Sequence, residues 1–194
     1  GIKRLWDILR FSYIFVFLHS LSVIHVNMKY FYFVFLCFLV SGGIHAQRLY
    51  DSLYFEMPIK EAQLFLRENS KKLKNIELGK GTSYAFRKSS LVDHNSKLES
   101  INIWSKTNLT LKQASDYLVK TRAYFESKDY KMVYAQENWS NPSMVKKNLP
   151  CIRFVDPDKT TVVEMDPRGQ GSVYNIFVTY YNYNWFLKKA RGEE

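Results

Sequence analysis

The chain has 194 residues, with 28 Lys and Arg against 18 Asp and Glu, a formal net charge of +10. A basic excess of this size favours anionic surfaces without choosing one. With only two cysteines and four histidines, the chain cannot be a disulfide scaffold, and the usual zinc spacings are absent.

Residues 1–27 contain one apolar run, 11–24, broken by His19 and Ser20. A second stretch, 28–47, begins with Met28 and Lys29, continues through an apolar core from Tyr30 to Val40, and ends in Ser41-Gly42-Gly43-Ile44-His45-Ala46 before Gln47. That order of basic, apolar and small residues is the layout of a secretory signal peptide. The apolar core is too short to span a bilayer, which takes roughly 20 residues, and Gly42-Gly43 ends it. The expectation is that 1–27 is an upstream extension outside the mature protein, that 28–46 is a signal peptide, and that 47–194 is one α+β domain, periplasmic or secreted. The Ala46-Gln47 junction also resembles that of many exported Gram-negative precursors. In the competing reading, 11–26 and 28–44 form a membrane hairpin, so that membrane contact comes only through an uncleaved leader. Cys37 lies in the apolar core without a lipobox and reads as bulk apolar.

After the leader, the charge count loses Lys3, Arg4, Arg10, Lys29 and Asp7, leaving 24 basic and 17 acidic residues. Cys151 and His94 are then the remaining cysteine and histidine. Stability must come from burial, not from a disulfide. For an exported basic chain, an envelope polymer or a protein partner is the expectation, and nucleic acid is not.

In chain order, 47–57 reads as an extended lead-in with Leu49, Leu53 and Phe55 available for packing. Pro58 opens a helix over 59–74, with an apolar stripe at Ile59, Ala62, Phe65, Leu66 and Leu73. Gly79-Lys80-Gly81-Thr82 superficially resembles a phosphate loop, but a helix precedes it and a strand follows, the reverse of the required order. Segments 82–88 and 98–105 alternate and are predicted to pair, with a turn at Asp93-His94-Asn95-Ser96. Thr110 and Gln113 form a capping box for a second helix, whose buried stripe is Leu111, Ala114, Tyr117, Leu118 and Phe125. Residues 58–73 and 110–125 align without gaps, an internal echo that would fit a duplicated α-β-β unit.

Segment 130–136 is predicted as a strand and 137–149 as a long loop, a candidate binding element. Strands 151–155 and 160–165 flank the turn Asp156-Pro157-Asp158-Lys159. A further turn is predicted over 166–171, then a strand from 173 to 186. Its faces carry Val173, Phe177, Tyr181, Tyr183 and Trp185 on one side, and Tyr174, Ile176, Val178 and Tyr180 on the other. The basic residues Lys188, Lys189 and Arg191 follow as a tail. The predicted architecture is α+β, an antiparallel sheet of about six strands with two helices on one face.

No catalytic, cofactor or metal motif emerges. Asp156, Asp158 and Asp166 all sit beside turn residues, which is reason enough for aspartate. The candidate binding residues are aromatic groups with cationic neighbours: Trp139, Lys146 and Lys147 in the long loop, and Tyr180, Tyr181, Tyr183 and Trp185 near the C terminus. Such surfaces suit sugar rings, peptides or protein partners. Two classes follow, a non-enzymatic binding protein of the cell envelope and a small exported hydrolase with a site assembled from distant residues. A concave pocket with two carboxylates, or Cys151 beside His94, favours the hydrolase. A flat Tyr/Trp patch on an open sheet face favours the binder.

Overall fold

The computed structural model describes residues 47–193; the signal peptide, upstream extension and membrane hairpin of the sequence reading lie outside the described residues. The lead-in is a small hairpin, β1 (Arg48–Tyr50) and β2 (Leu53–Tyr54). Asp51 makes its turn at a left-handed φ of 51°, a conformation aspartate accepts more readily than most residues. Leu49 and Leu53 are buried.

Helix α1 (Ile59–Glu68) follows Pro58 and is separated from α2 (Ser70–Leu73) by Asn69. The single helix expected over 59–74 is therefore interrupted. Asn69 turns its side-chain amide back to the Phe65 carbonyl at 3.0 Å, offering the backbone an alternative to the helical ladder. Strand β3 (Tyr84–Ala85), a one-turn 3-10 helix (Lys88–Ser90), β4 (Leu91–His94) and β5 (Lys97–Ser105) come next. β3 does pair with β5, but the tight hairpin partner of β5 is β4, across Asn95 and Ser96. Both turn residues have positive φ, 50° and 62°, as a two-residue connection matching strand twist requires.

Helix α3 (Leu111–Glu126) begins as its capping box dictates. The Gln113 amide donates to Thr110 Oγ1, and the Thr110 amide donates to Gln113 Oε1 at 2.8 Å, a cap worth about 1 kcal/mol. Ala114, Leu118, Thr121 and Phe125 form its buried stripe. Then come β6 (Lys131–Ala135), the short helix α4 (Pro142–Val145), β7 (Ile152–Val155), β8 (Thr161–Gln170), β9 (Val173–Asn182) and α5 (Tyr183–Arg191).

The seven longer-range strands make one antiparallel sheet in the order β3-β5-β9-β8-β7-β6, with β4 also beside β5. Its core face carries Ile101 and Ile103 of β5, Tyr174, Ile176, Val178 and Tyr180 of β9, Val163 and Met165 of β8, and Ile152 and Phe154 of β7. α1 and α3 cover that face: Ala62, Leu118 and Phe125 belong to the same apolar cluster. Phe125 stacks on Phe154 with centroids 5.5 Å apart, and the hydroxyls of Tyr84 and Thr121 meet at 2.6 Å. The α+β architecture with two helices on one face is thus present, with seven strands in the sheet. The internal echo falls on α1–α2 and on α3; three strands of the sheet follow the first and four the second, so the second half carries one strand more. Among the described residues no helix is long and apolar enough to cross a membrane.

Two boundaries differ from expectation. The predicted strand 173–186 ends at Asn182, whose side chain accepts the Trp185 amide at 2.8 Å and starts α5. Tyr183 and Trp185 therefore belong to a helix, and Lys188, Lys189 and Arg191 lie in its last turn, where cations complement the exposed carbonyls. The predicted turn 166–171 is mostly strand. β8 runs through Pro167 to Gln170, and the hairpin closes on Gly171-Ser172. Met165 directs its carbonyl at Cys151, so by alternation the Pro167 nitrogen points the same way, past the start of β7, where no donor is needed. Asn148 completes this side by accepting the Gly169 amide and donating to the Gly169 carbonyl, at 2.9 and 2.8 Å.

Gly169 leaves no room for a side chain. A Cβ there would overlap the Val173 carbonyl and the Tyr174 ring and lie 2.7 Å from Tyr174 Cα. Gly171, at φ +65°, faces open space. Gly169→Ala is expected to lower stability by about 1–3 kcal/mol in urea unfolding, whereas Gly171→Asn, which keeps a residue tolerant of left-handed φ, shifts it by less than about 1 kcal/mol.

Candidate functional site

The second face of the sheet is polar. On β8 the alternation that sends Val163 and Met165 into the core sends Glu164 and Asp166 to the other side, and on β9 it does the same with Phe177, Thr179 and Tyr181. The register then builds rows across strands. Arg153 of β7, Glu164 of β8, Thr179 of β9 and Asn102 of β5 stand side by side. The next row is Asp166, Phe177 and Trp104, and the row on the far side is Val162, Tyr181 and Ser100.

Helix α5 folds back over one end of this face. Trp185 stacks on Tyr181, centroids 5.6 Å apart and planes 11° from parallel, and Phe186 lies 5.4 Å from the same ring. Sheet and helix enclose an open groove of about 800 Å³, floored by Asn102, Glu164, Asp166, Phe177 and Thr179 and walled by Trp185, Phe186 and Lys189. The volume falls within the roughly 300–1,000 Å³ of small-molecule sites.

Each carboxylate in the floor has its own guanidinium. Glu164 pairs with Arg153 Nε, and Arg153 also lies over the rings of Tyr134 and Phe186 at 4.9 and 5.4 Å. Asp166 Oδ2 accepts from Arg168 at 3.0 Å. Arg168 in turn donates to the Asn148 carbonyl at 3.1 Å. Asp166 Oδ1 is buried with no hydrogen-bond partner, although its side chain is only 10% exposed. Burial, followed by the charge of Glu164, pushes the Asp166 carboxyl up to about 6, against the pull of Arg168. Burial also raises Tyr181 to about 12, with Glu164 and Asp166 adding to the effect.

Of the residues singled out from sequence, Tyr181 and Trp185 meet in this groove. Tyr180, the neighbour of Tyr181, points the opposite way into the core and is 4% exposed. Tyr183 is half-buried at the first turn of α5. Trp139 packs partly against the core, with the Arg122 guanidinium 5.4 Å from its ring, on the α3 side of the molecule. Lys146 and Lys147 are exposed after α4. The loop aromatics and the C-terminal aromatics thus do not share one surface.

Several groove residues were not readable as such. Glu164 and Arg153 sit in strands without a motif, and Asp166 beside Pro167 looks like turn chemistry. A weak signal existed in Glu164-Met165-Asp166, two acids at the spacing that puts both on one strand face. Asp156, by contrast, does organise a turn, accepting from the amides of Thr160 and Thr161 at 2.7 and 2.8 Å. The Gly79-Thr82 loop is closed on itself, Thr82 Oγ1 donating to the Gly79 carbonyl at 2.8 Å.

Cys151 is buried, its thiol donating to the Met165 carbonyl at 3.0 Å. Burial foremost, then Asp166, raises its pKa far above the ordinary thiol range, which removes the thiolate a nucleophile needs. His94 sits exposed at the β4–β5 turn, four strand spacings or roughly 19 Å away across the sheet. The two do not form a pair. Among the described residues no group of three or more His, Cys, Asp and Glu is placed to hold a metal ion.

Two outcomes follow. Ellman's reagent is expected to titrate Cys151 at pH 8 only after unfolding; rapid reaction of the native thiol would contradict its burial. Asp166 binds its proton more tightly folded than unfolded, so its stabilising contribution is complete below about pH 4 and lost as pH rises through about 6. Relative to wild type, Asp166→Asn is therefore expected to gain on the order of 2–3 kcal/mol between pH 4 and pH 8, read from urea midpoints across that range. Compared with protein-family models, with curated proteins and with solved structures, the chain matches none.

Proposed function

We propose that the chain is an exported, non-enzymatic binding protein of the bacterial cell envelope, and that its ligand lies in the groove between the polar sheet face and α5. Export rests on the signal-peptide layout of residues 28–46. The observation that carries the binding reading is the groove floor itself, in which both carboxylates are held in ion pairs with Arg153 and Arg168. Paired and aligned on rigid strands, these groups act as fixed hydrogen-bonding partners for a ligand, which lowers the ordering cost of association. The aromatic wall of Tyr181, Trp185 and Phe186 adds apolar contact area.

One observation favours a second reading, a small exported hydrolase. Burial, then the charge of Glu164, raises the Asp166 carboxyl to about 6, and a carboxyl whose proton is held toward neutral pH is the usual acid of acid–base hydrolysis. That reading requires turnover of a bound substrate.

Isolated envelope fractions separate the two. Wild-type protein is expected to co-sediment with the fraction holding its ligand and to leave it intact. Asn102→Trp, which fills the groove floor from the face opposite the core, should weaken co-sedimentation at least about tenfold, whereas Trp139→Ala on the α3 side should not. Equal binding by Asn102→Trp would overturn the groove assignment. Cleavage by wild type that Asp166→Asn abolishes would replace binder with hydrolase.

A further inference from the structure

Resting on the groove as the ligand site, we propose that its ligand is a saccharide chain built of neutral sugars, with Asp166 Oδ1 accepting from a sugar hydroxyl.

Three features of the groove point there together. The first is charge balance. Glu99, Glu164 and Asp166 line the groove with Arg153, Arg168 and Lys189, so its formal charges cancel in a chain whose total is +10. An anionic ligand would meet Glu164 beside Arg153 and Asp166 beside Arg168, and a cationic ligand would meet the same two guanidiniums beside those carboxylates. A hydroxyl both donates and accepts, and so satisfies either member of every pair.

The second is the unpartnered oxygen. Asp166 Oδ1 is shut away from solvent without a donor, in a side chain nine-tenths buried that lines the groove. A buried acceptor left without a partner is costly, and a small turn of the side chain that brings Oδ1 to the groove lets a ligand O–H recover that loss. In the same array Thr179 and Asn102 add a hydroxyl and an amide a strand spacing apart, and Ser100 adds a second hydroxyl two residues along β5 from Asn102, neutral groups that can serve the hydroxyls of a pyranose ring.

The third is the shape of the polar surface. The groove floor is a sheet face, with its backbone groups already used in the ladders on both sides of β9. An extended peptide recognised by strand addition needs a free edge instead. Trp185 lies between Tyr181 and the Lys189 ammonium, 4.4 Å from its ring, and Arg153 lies over Phe186, so the wall of Phe177, Tyr181, Trp185 and Phe186 meets the C–H groups of a sugar mainly with ring edges, and about 800 Å³ exceeds what one pyranose needs.

The test uses purified chain and isothermal titration with neutral hexasaccharides of glucose, mannose, galactose and N-acetylglucosamine. An oligogalacturonate, a chitosan oligomer and a random-sequence peptide pool serve as charged and peptide comparators. At least one neutral series is expected to bind, with affinity changed less than roughly twofold between about 0.05 and 0.5 M NaCl. Asp166→Asn and, independently, Trp185→Ala should each weaken that binding at least about tenfold, with far-ultraviolet circular dichroism unchanged. The inference is overturned if none of the neutral series binds, if binding is confined to a charged oligomer or a peptide, or if neutral binding survives either substitution. Should Asn102→Trp still abolish co-sedimentation with envelope material while no neutral glycan binds, the groove stands as a binding site and the ligand class alone falls.

Discussion

Ten residues of β8 pair one to one with ten of β9, from Thr161 against Asn182 to Gln170 against Val173, and this ladder sets the character of both faces of the sheet. Side chains alternate with a period of two, so a slip of one residue would exchange the faces wholesale. In the observed register Tyr174, Ile176, Val178 and Tyr180 meet the helices, and Phe177, Thr179 and Tyr181 meet solvent and α5. The hairpin turn at Gly171-Ser172 and the close passage of Tyr174 over Gly169 pin that register at one end. At the other, the Thr161 hydroxyl donates to the Arg48 carbonyl at 2.6 Å.

Burial on the two faces is achieved by different means. The core face is mostly apolar, with Phe125 in ring contact with both Phe154 and Tyr180, and side chains of this kind contribute about 1.5–3 kcal/mol each when buried. The polar face buries Glu164 and Asp166, at 8% and 7% exposure, with no comparable gain. Ion pairs recover part of the loss of hydration, but a buried pair is seldom a net source of stability. A strand pair that carries such groups at its centre is more expensive than an apolar one would be.

Much of the scaffold was legible because it rests on short-range chemistry. The capping box of Thr110 and Gln113, the aspartate turn after Val155 and the helical stripe of α3 depend on spacings within a few residues. The end of β9 was not legible, because Thr179 to Phe186 is rich in aromatic residues that favour strands, and this outweighed the local stop signal. That signal is plain in retrospect: Asn182 as N-cap and Gly192 as the left-handed C-cap at φ 69°. The aromatic pair Tyr181 and Trp185 was found, but the acids and arginines beneath it were not. Arg153 reaches Glu164 only through the register between two strands, 11 residues apart in sequence, and the partner of Asp166, Arg168, lies on the same strand but shares its face only once that strand is known to run on past Pro167. Asp166 was obscured further by Pro167, which reads as a turn unless one knows that the neighbouring strand stops short.

Asn148 has a reach beyond its own loop. Its side chain imitates a strand residue against Gly169, and its carbonyl holds the Arg168 guanidinium, which in turn grips Asp166. Three residues therefore form a tether running from the segment that bears Trp139, Lys146 and Lys147 to the acid under the groove. Lifting that segment would slacken the guanidinium's hold, and with less positive charge nearby the acid would cling to its proton more firmly. Two regions with no shared surface are in this way mechanically joined through a single arginine.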